Sequence, residues 1–359
     1  MAIDDYDLLF VSRVPNATGG VDPTLTEIGT VIPKTKLSWT RELWFDGGSV
    51  GFSLEPDEVP TAIAERLVDP FAKPSEVRLY KGSTLIQQGP VTSCQVQGGT
   101  ATVQTRGLMY YTRYMHLTVD KSYTATDQYT IVKELVDHHQ AKTYGDFGID
   151  TSGIGSSGVT VNREYKANRA HNVFETIDGL AQRQNGFDYY VSIDTGRDLV
   201  LTSARGTDKS ADVILDARGI FSPQVSMSAA QRQVGSQAIA IGHSFEEDPV
   251  IGDKEDATAL AAFGRAQTAR HFDTIPTQAD IDAIAQELVD SYAMTVFHPG
   301  ELVMFPVIGT EPITDFDVGD KITWNYDAGL GLQTEARDVK RITVTINEDG
   351  EEKMSVEFV

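Results

Sequence analysis

A change of period along the chain limits what it can fold into. From Tyr6 to about Tyr110, apolar and polar residues alternate in short runs broken by turn signals, the mark of half-buried strands. Helix-period stretches with their own caps and stops then take over, and alternation resumes at Gln237-Ala-Ile-Ala-Ile-Gly242. A small helix-and-hairpin module set into a β-rich body accounts for that order. The arrangement points toward an assembly part rather than an enzyme.

The first stretch begins with Tyr6 to Ser12, a polar loop from Pro15 to Asp22 and a second run from Thr30 to Trp39. Asp46-Gly47-Gly48 turns the chain into Ser49 to Leu54. A short helix follows Pro60, with Ile63 and Leu67 one turn apart and Pro70 as its stop. Glu76 to Tyr80 and Thr84 to Gln87 form a hairpin, and Val91 to Gln97 meets Thr100 to Tyr110 across Gly98-Gly99. Thr126 or Asp127 caps a helix carrying Ile131, Val132, Leu135 and Val136. A Gly-, Ser- and Asp-rich loop, 143–158, leads to a strand-like Val159 to Val161. Asn168 is the expected cap of the next helix, with Val173, Phe174, Ile177 and Leu180 inward and Asn185-Gly186 as its stop. Phe187 to Ile193 and Asp198 to Thr202 then pair across Asp194-Thr-Gly196.

Strand character returns from Ile220 to Gly242. Asp256 or a neighbour opens a helix holding Leu260, Phe263 and Ala266, and Thr277 with Asp280 resembles a capping box ahead of Ile281, Ile284, Leu288 and Tyr292. Strands are expected at Glu301 to Ile308, Lys321 to Tyr326, Gln333 to Ile346 and Lys353 to Phe358, with Asp349-Gly350 turning the last pair. The expected class is β-rich α+β. A first β-barrel or sandwich covers 1–118 and is completed by 216–244; a small α+β domain covers 119–215. A second β domain covers 245–359, with a helical insertion at 255–295.

Among 359 residues, 52 are acidic and 30 basic, for a formal charge of −22. Such a surface repels DNA and anionic membranes, so a DNA reader is excluded in favour of a soluble protein, or of a wall past which DNA slides. Cys94 is the single cysteine, in an alternating strand run, so neither an internal disulfide nor a thiolate zinc cluster is available. Met1 to Asp5 lacks a basic start ahead of an apolar core, and no apolar run reaches ~18 residues. Synthesis in a cytoplasm without a secretory leader or membrane span is expected.

Each short motif has a plainer reading. Gly153-Ile-Gly155-Ser-Ser-Gly158 matches the dinucleotide fingerprint but lacks the strand before and helix after that would cradle a pyrophosphate. Gly47-Gly48-Ser49-Val50-Gly51 matches a hydrolase elbow, yet a strand pattern leads out of it. His116, His138, His139, His171, His243, His271 and His298 show no metal-ligand spacing. Asp315, Asp317 and Asp320 lack the remaining ligands of a calcium loop and suit a polar turn. Tyr110, Tyr111, Tyr114, Tyr189 and Tyr190 suit packing, with no basic residues interleaved for nucleic acid. No catalytic, cofactor or metal residues emerge.

Several stretches together resemble the hub proteins at the tip of long non-contractile phage tails, especially minor tail proteins of phages infecting actinobacteria. They are Leu37-Ser-Trp39-Thr-Arg41-Glu-Leu43 leading to Gly51-Phe-Ser-Leu54, and Leu67-Val-Asp-Pro70 through Glu76 to Tyr80 and Gln88-Gly89-Pro90-Val91. Thr176 to Ala181 with Gly186-Phe-Asp188, Phe263-Gly-Arg265, the helix from Thr277 and Val318-Gly-Asp320 continue the likeness. The resemblance implies two tail-tube-like β-barrels around a small α+β domain, three copies forming a ring of six barrels. It implies a structural role in the virion: capping the tube, holding the tape-measure protein, meeting the distal tail protein, and anchoring fibres or a spike. DNA would pass without specific binding. Relatives often carry a long C-terminal receptor-binding or wall-degrading extension, whereas this sequence stops at Val359. Two other classes stay open, a cell-wall polysaccharide hydrolase with an unlocated carboxylate pair and a glycan-binding module. Within the tail, the distal ring protein is the alternative.

Overall fold

A computed structural model of the chain describes residues 5–33, 36–44, 46–55, 59–69, 73–183, 185–193, 196–216, 224–228, 236–242, 249–263, 265, 267–272, 275, 277–293, 298–304, 311–327, 332–347, 349 and 351–358. The first third forms β1 (Tyr6–Val14), β2 (Thr24–Val31), β3 (Lys36–Glu42), β4 (Gly48–Leu54), α1 (Thr61–Val68), β5 (Ser75–Lys81), β6 (Thr84–Gln97) and β7 (Thr100–Thr105). Alternation does what it predicts: Leu37, Trp39 and Arg41 of β3 point inward while Ser38 and Thr40 are half-buried. Helix α1 buries Ile63 and Leu67, one turn apart.

Three boundaries differ from expectation. The run expected over Thr30 to Trp39 is divided between β2, which ends at Val31, and β3, which begins at Lys36. Strand β6 continues through Gly89-Pro90, pairing first with β5 and then with β7. Gly89 permits this, because a Cβ there would lie 1.6 Å from the Arg106 carbonyl oxygen. Strand β7 stops at Thr105, and Leu108–Tyr114 forms a 3-10 turn burying Leu108, Met109, Tyr111 and Thr112. The apolar spacing across 108–112 is therefore a helical face, not an alternation.

The module contains β8 (Lys121–Asp127), α2 (Gln128–Gln140), β9 (Thr160–Tyr165), α3 (Val173–Ala181), β10 (Asp188–Val191) and β11 (Leu199–Thr202). Asp127 caps α2, accepting from the Tyr129 amide at 2.9 Å. Asn172, not Asn168, caps α3: its side chain accepts from the Glu175 amide at 3.2 Å, while Ala167–Arg169 is a 3-10 turn closed by Ala170 at φ 45°. Helix α3 ends earlier than expected, at Ala181 with Gln182 as its C-cap; Asn185-Gly186 forms the turn beyond it, with Asn185 at φ 60° and a Cβ on Gly186 excluded at 1.9 Å by the Ala181 carbonyl oxygen. Residues from Leu108 to Leu199 share one core.

The remainder comprises β12 (Ile214–Asp216), β13 (Gln224–Ser228), β14 (Gln237–Gly242), β15 (Ile251–Glu255), α4 (Ala257–Phe263), β16 (Gln267–Phe272), α5 (Gln278–Ala293), β17 (His298–Met304), β18 (Lys321–Asp327), β19 (Leu332–Ile346) and β20 (Glu352–Phe358). Thr277 and Asp280 form the expected box at the start of α5, the Asp280 amide donating to the Thr277 hydroxyl at 3.3 Å. Strand β14 pairs antiparallel with β15 and parallel with β16. Against them α5 buries Ile281, Ile284 and Ala285. His243, Gly264, Ala266 and Gly350, the 305–308 part of an expected strand, and the side chains of Phe263, Tyr292 and His298 lie outside the described residues.

One sheet joins the two ends of the sequence, in the order β13-β17-β20-β19-β3-β4-β7-β6-β5-β1-β2, with β12 and β18 attached beside β19. Arg341 to Ile346 of β19 lie antiparallel to Leu37–Glu42 of β3. Its core accordingly mixes early and late residues: Trp39, Phe10 and Phe52 with Trp324, Val344 and Phe358, the last stacked on Trp324 at 5.0 Å. Each such side chain contributes about 1.5–3 kcal/mol on burial, so the cross-chain pairing is apolar in origin. Among the described residues the strand path ends at β2 and β13 and does not close on itself. No helix among them is long and apolar enough to cross a membrane.

Candidate functional site

The sequence motifs resolve into structural parts. At the glycine-rich loop, the Ser156 and Ser157 hydroxyls and the Gly158 amide donate to Asp127 Oδ2 at 2.8, 3.0 and 2.9 Å. The loop thus completes the cap of α2 from outside. Burial alone would raise the Asp127 carboxyl; hydrogen bonds from Ser156, Ser157, Tyr129 and Thr130 outweigh it and hold the group below its ordinary range. Gly48-Ser49-Val50-Gly51 lies in β4, a strand leading out as expected. Cys94 is half-buried in β6, and burial pushes its thiol up.

Asp315, Asp317 and Asp320 are occupied by protein donors. Asp317 pairs with Arg41, Asp320 with Lys209 at 2.8 Å, and Asp315 accepts from the Glu311 amide at 2.6 Å. His139 stacks on Phe147 with centroids 5.8 Å apart, and burial followed by Lys142 lowers its pKa to about 4. His116 contacts Asn172, His171 meets the Tyr165 ring, and His271 is exposed on β16. Tyr189 is buried with its hydroxyl on Asp178, Tyr190 lies under Arg205, and Tyr110 and Tyr114 meet edge to face at the surface. Among the described residues no group of His, Cys, Asp and Glu converges to hold a metal ion.

The side chains that do converge sit where the module meets the β body. Glu76 of β5 is fully buried and accepts from the Tyr111 hydroxyl at 2.7 Å and the Gln88 amide at 3.0 Å. Arg197 Nη2 lies 3.2 Å from Glu76, close enough for charge attraction although its N–H points away from the oxygen. Arg13 of β1 lies over the Phe147 and Tyr111 rings at 4.7 and 5.1 Å and donates to the Asp146 carbonyl at 2.8 Å. Burial first, then the Glu76 charge, pushes the Tyr111 hydroxyl far up, so it stays a donor. Arg13, Glu76 and Gln88 come from the body; Tyr111, Asp146, Phe147 and Arg197 come from residues sharing the module side of the seam.

A second seam surrounds a polar cleft of about 350 Å³. Arg205 lies 4.0 Å over the Tyr190 ring and 4.0 Å from Asp317, while its amide donates to Asp188 at 2.7 Å. Trp44 donates to the other Asp188 oxygen at 3.1 Å, and Arg113 pairs with Asp46 at 2.7 Å. The backbones touch here: Gly206 and Gly319 have φ 85° and 90°, and a Cβ on Gly206 would fall 2.2 Å from the Gly319 carbonyl carbon. The chemistry of both seams is cohesion, carboxylates and guanidiniums spent on each other to fix one unit on the next. Reading the residues in sequence order missed both, since their partners lie up to 276 positions apart, as Arg41 and Asp317 do.

With that geometry in view, comparison with solved structures is informative. The 43 kDa tail protein of prophage MuSo2 from Shewanella oneidensis superposes with TM-score 0.61 at 14% identity, covering 99% of this chain and 98% of that one. The fold is that of prophage tail proteins. A tail protein from Neisseria meningitidis MC58 (TM-score 0.56, 10% identity, 98% and 96% covered) and prophage tail protein gp18 from Listeria monocytogenes EGD-e (0.53, 11%, 98% and 94%) agree along their whole lengths. The tail-protein likeness thus takes in the β body, the module and the last β segments together. No sequence-family profile matches the chain, and neither does any curated protein.

Proposed function

We propose that this chain is a structural hub of a phage tail tip and not an enzyme. The observation that carries the reading is the end-to-end likeness to tail proteins, 99% of this chain against 98% of the Shewanella protein. In this reading three copies form a ring capping the tail tube. In the assembled ring the strands of the large sheet would supply the tube-like barrel units, with the α+β module braced against them by the two seams. The strand path has free ends at β2 and β13 among the described residues, and unpaired strand edges favour closure against a neighbour. Three chains of −22 would carry −66, a lumen that does not hold passing DNA. Its partners would be the distal tail protein, the tape-measure protein and a fibre or spike.

The test is antibody labelling of intact particles, followed by a symmetry-free reconstruction of the labelled end. Label at one tail end and threefold density for this chain are expected. Sixfold density would make it the distal ring protein, and absence from particles would overturn the structural role altogether.

A further inference from the structure

Between α3 and the face made by α5 and β16 lies a cavity of about 600 Å³. Its polar side holds three guanidiniums, of which that of Arg270 on β16 is engaged by a partner of its own; the other two are those of Arg163 and Arg183. Arg163 of β9 is only 4% exposed and donates Nη1 to the Asn162 carbonyl at 2.6 Å. Arg183, just beyond α3, lines the same space with Nε and Nη1 shut from solvent and donating to no acceptor. The two cations oppose each other: burial first, and Arg183 second, lowers the Arg163 pKa to about 10. Of the nearby carboxylates, Glu175 is exposed, Glu287 is half-buried and Asp280 is engaged by the Thr277 hydroxyl and the Asn162 amide. The opposite walls are apolar, Leu180 and Ile284 buried, Phe272 and Leu288 half-buried.

Buried donors without acceptors are costly, and in folded proteins they are normally satisfied. Among the described residues nothing accepts from Arg183 Nε and Nη1, which leaves that edge of the guanidinium open to the cavity, and a planar guanidinium fork fits a two-oxygen anion. We infer that this cavity binds a carboxylate carried on an apolar body. A phosphate would press a third hydrated oxygen against leucine and isoleucine, whereas an aliphatic group beside a carboxylate fits both walls. The carboxylate has two possible sources, an acidic side chain flanked by apolar residues in another polypeptide, or a free aliphatic acid. This inference does not depend on the tail-tip reading.

Calorimetric titration of the full chain tests it with four probes: 4-methylpentanoate, acetyl-leucyl-glutamyl-leucinamide, the glutaminyl counterpart of that peptide, and inorganic phosphate. The expected result is one-to-one binding of at least one carboxylate probe, at least tenfold tighter than the glutaminyl peptide or phosphate, and at least tenfold weakened by Arg183→Gln. Tighter binding of the peptide assigns a polypeptide source; tighter binding of the free acid assigns a small molecule. The unliganded Arg183→Gln protein should melt no lower than the parent, because an uncompensated cation has been removed. Failure of both carboxylates to bind overturns the inference. So does phosphate binding alone, equal binding of the glutaminyl peptide, or an Arg183→Gln protein that binds unchanged or melts lower.

Discussion

Replacing Arg197 by Met should loosen the module from the body before it unfolds either one. Glu76 is fully buried, and Arg197 is 4% exposed and 3.2 Å away. After the substitution Glu76 keeps two neutral donors, Tyr111 and Gln88, and the more distant Arg13 charge, but loses its nearest cation. Breaking a buried pair on one side typically costs about 3–5 kcal/mol, most of it the penalty of the stranded charge. The loss falls on the seam, so the module's transition should separate from that of the body. Urea unfolding followed by tryptophan fluorescence, to which the body core contributes Trp39 and Trp324 and the second seam Trp44, and by far-UV circular dichroism would reveal two midpoints where the parent shows one. A triple variant, Glu76→Leu with Arg197→Met and Tyr111→Phe, removes the carboxylate, the guanidinium and the phenol together, leaving only the Gln88 amide without its acceptor, and should recover most of the loss. A single-variant loss under about 1 kcal/mol, or a triple variant less stable than the single one, would refute the account of the seam.

Asp127→Ala removes both the cap of α2 and the anchor of the 156–158 loop, and should cost about 2 kcal/mol, at the upper end for a cap, with faster amide exchange at Tyr129 and Gly158. Gly319→Ala should destabilise by more than the ~1 kcal/mol of an ordinary glycine exchange, because φ is 90° and a Cβ would lie 2.5 Å from the Arg205 carbonyl oxygen; thermal melting checks it. The folded-state pKa of His139, about 4 against 6.5, keeps the native ring neutral while the unfolded ring takes a proton. Stability is therefore fully present above pH 6.5 and declines from 6.5 toward 4, by on the order of 2–3 kcal/mol, and His139→Leu should flatten that limb in a pH series of melts. Asp127 and Asp320 have folded pKa values below ordinary, so their contribution is present above about pH 4 and is lost as pH falls further.

Local chemistry was legible in the sequence and distant chemistry was not. Asp127 and the Thr277–Asp280 box act within a few residues of themselves, so their residue types announce them. Asn168 was the wrong cap because two asparagines four residues apart are equivalent until the 3-10 turn at Ala167–Arg169 takes one of them. The Gly153–Gly158 loop could be excluded as a phosphate cradle, yet its role at Asp127 required the fold. Tyr111 was legible as a packing aromatic, but Glu76 and Arg197 gave no signal: an isolated Glu in an alternating strand usually faces solvent, and only the seam buries it. The β3–β19 pairing was equally silent, since register between strands so far apart is set by shared core contacts rather than by a turn.

That pairing imposes a schedule on synthesis. Thr40 and Thr343 stand 3.3 Å apart across the two strands and 303 positions apart along the chain. At a ribosomal pace of about 5–20 residues per second, β3 waits roughly 15–60 s for its neighbour. Throughout that wait one row of its amides and carbonyls is a template for any strand that drifts by. The nascent chain is thus most vulnerable to misassembly with its siblings while the module is already folding, and a translational stall short of residue 332 would leave that template exposed indefinitely.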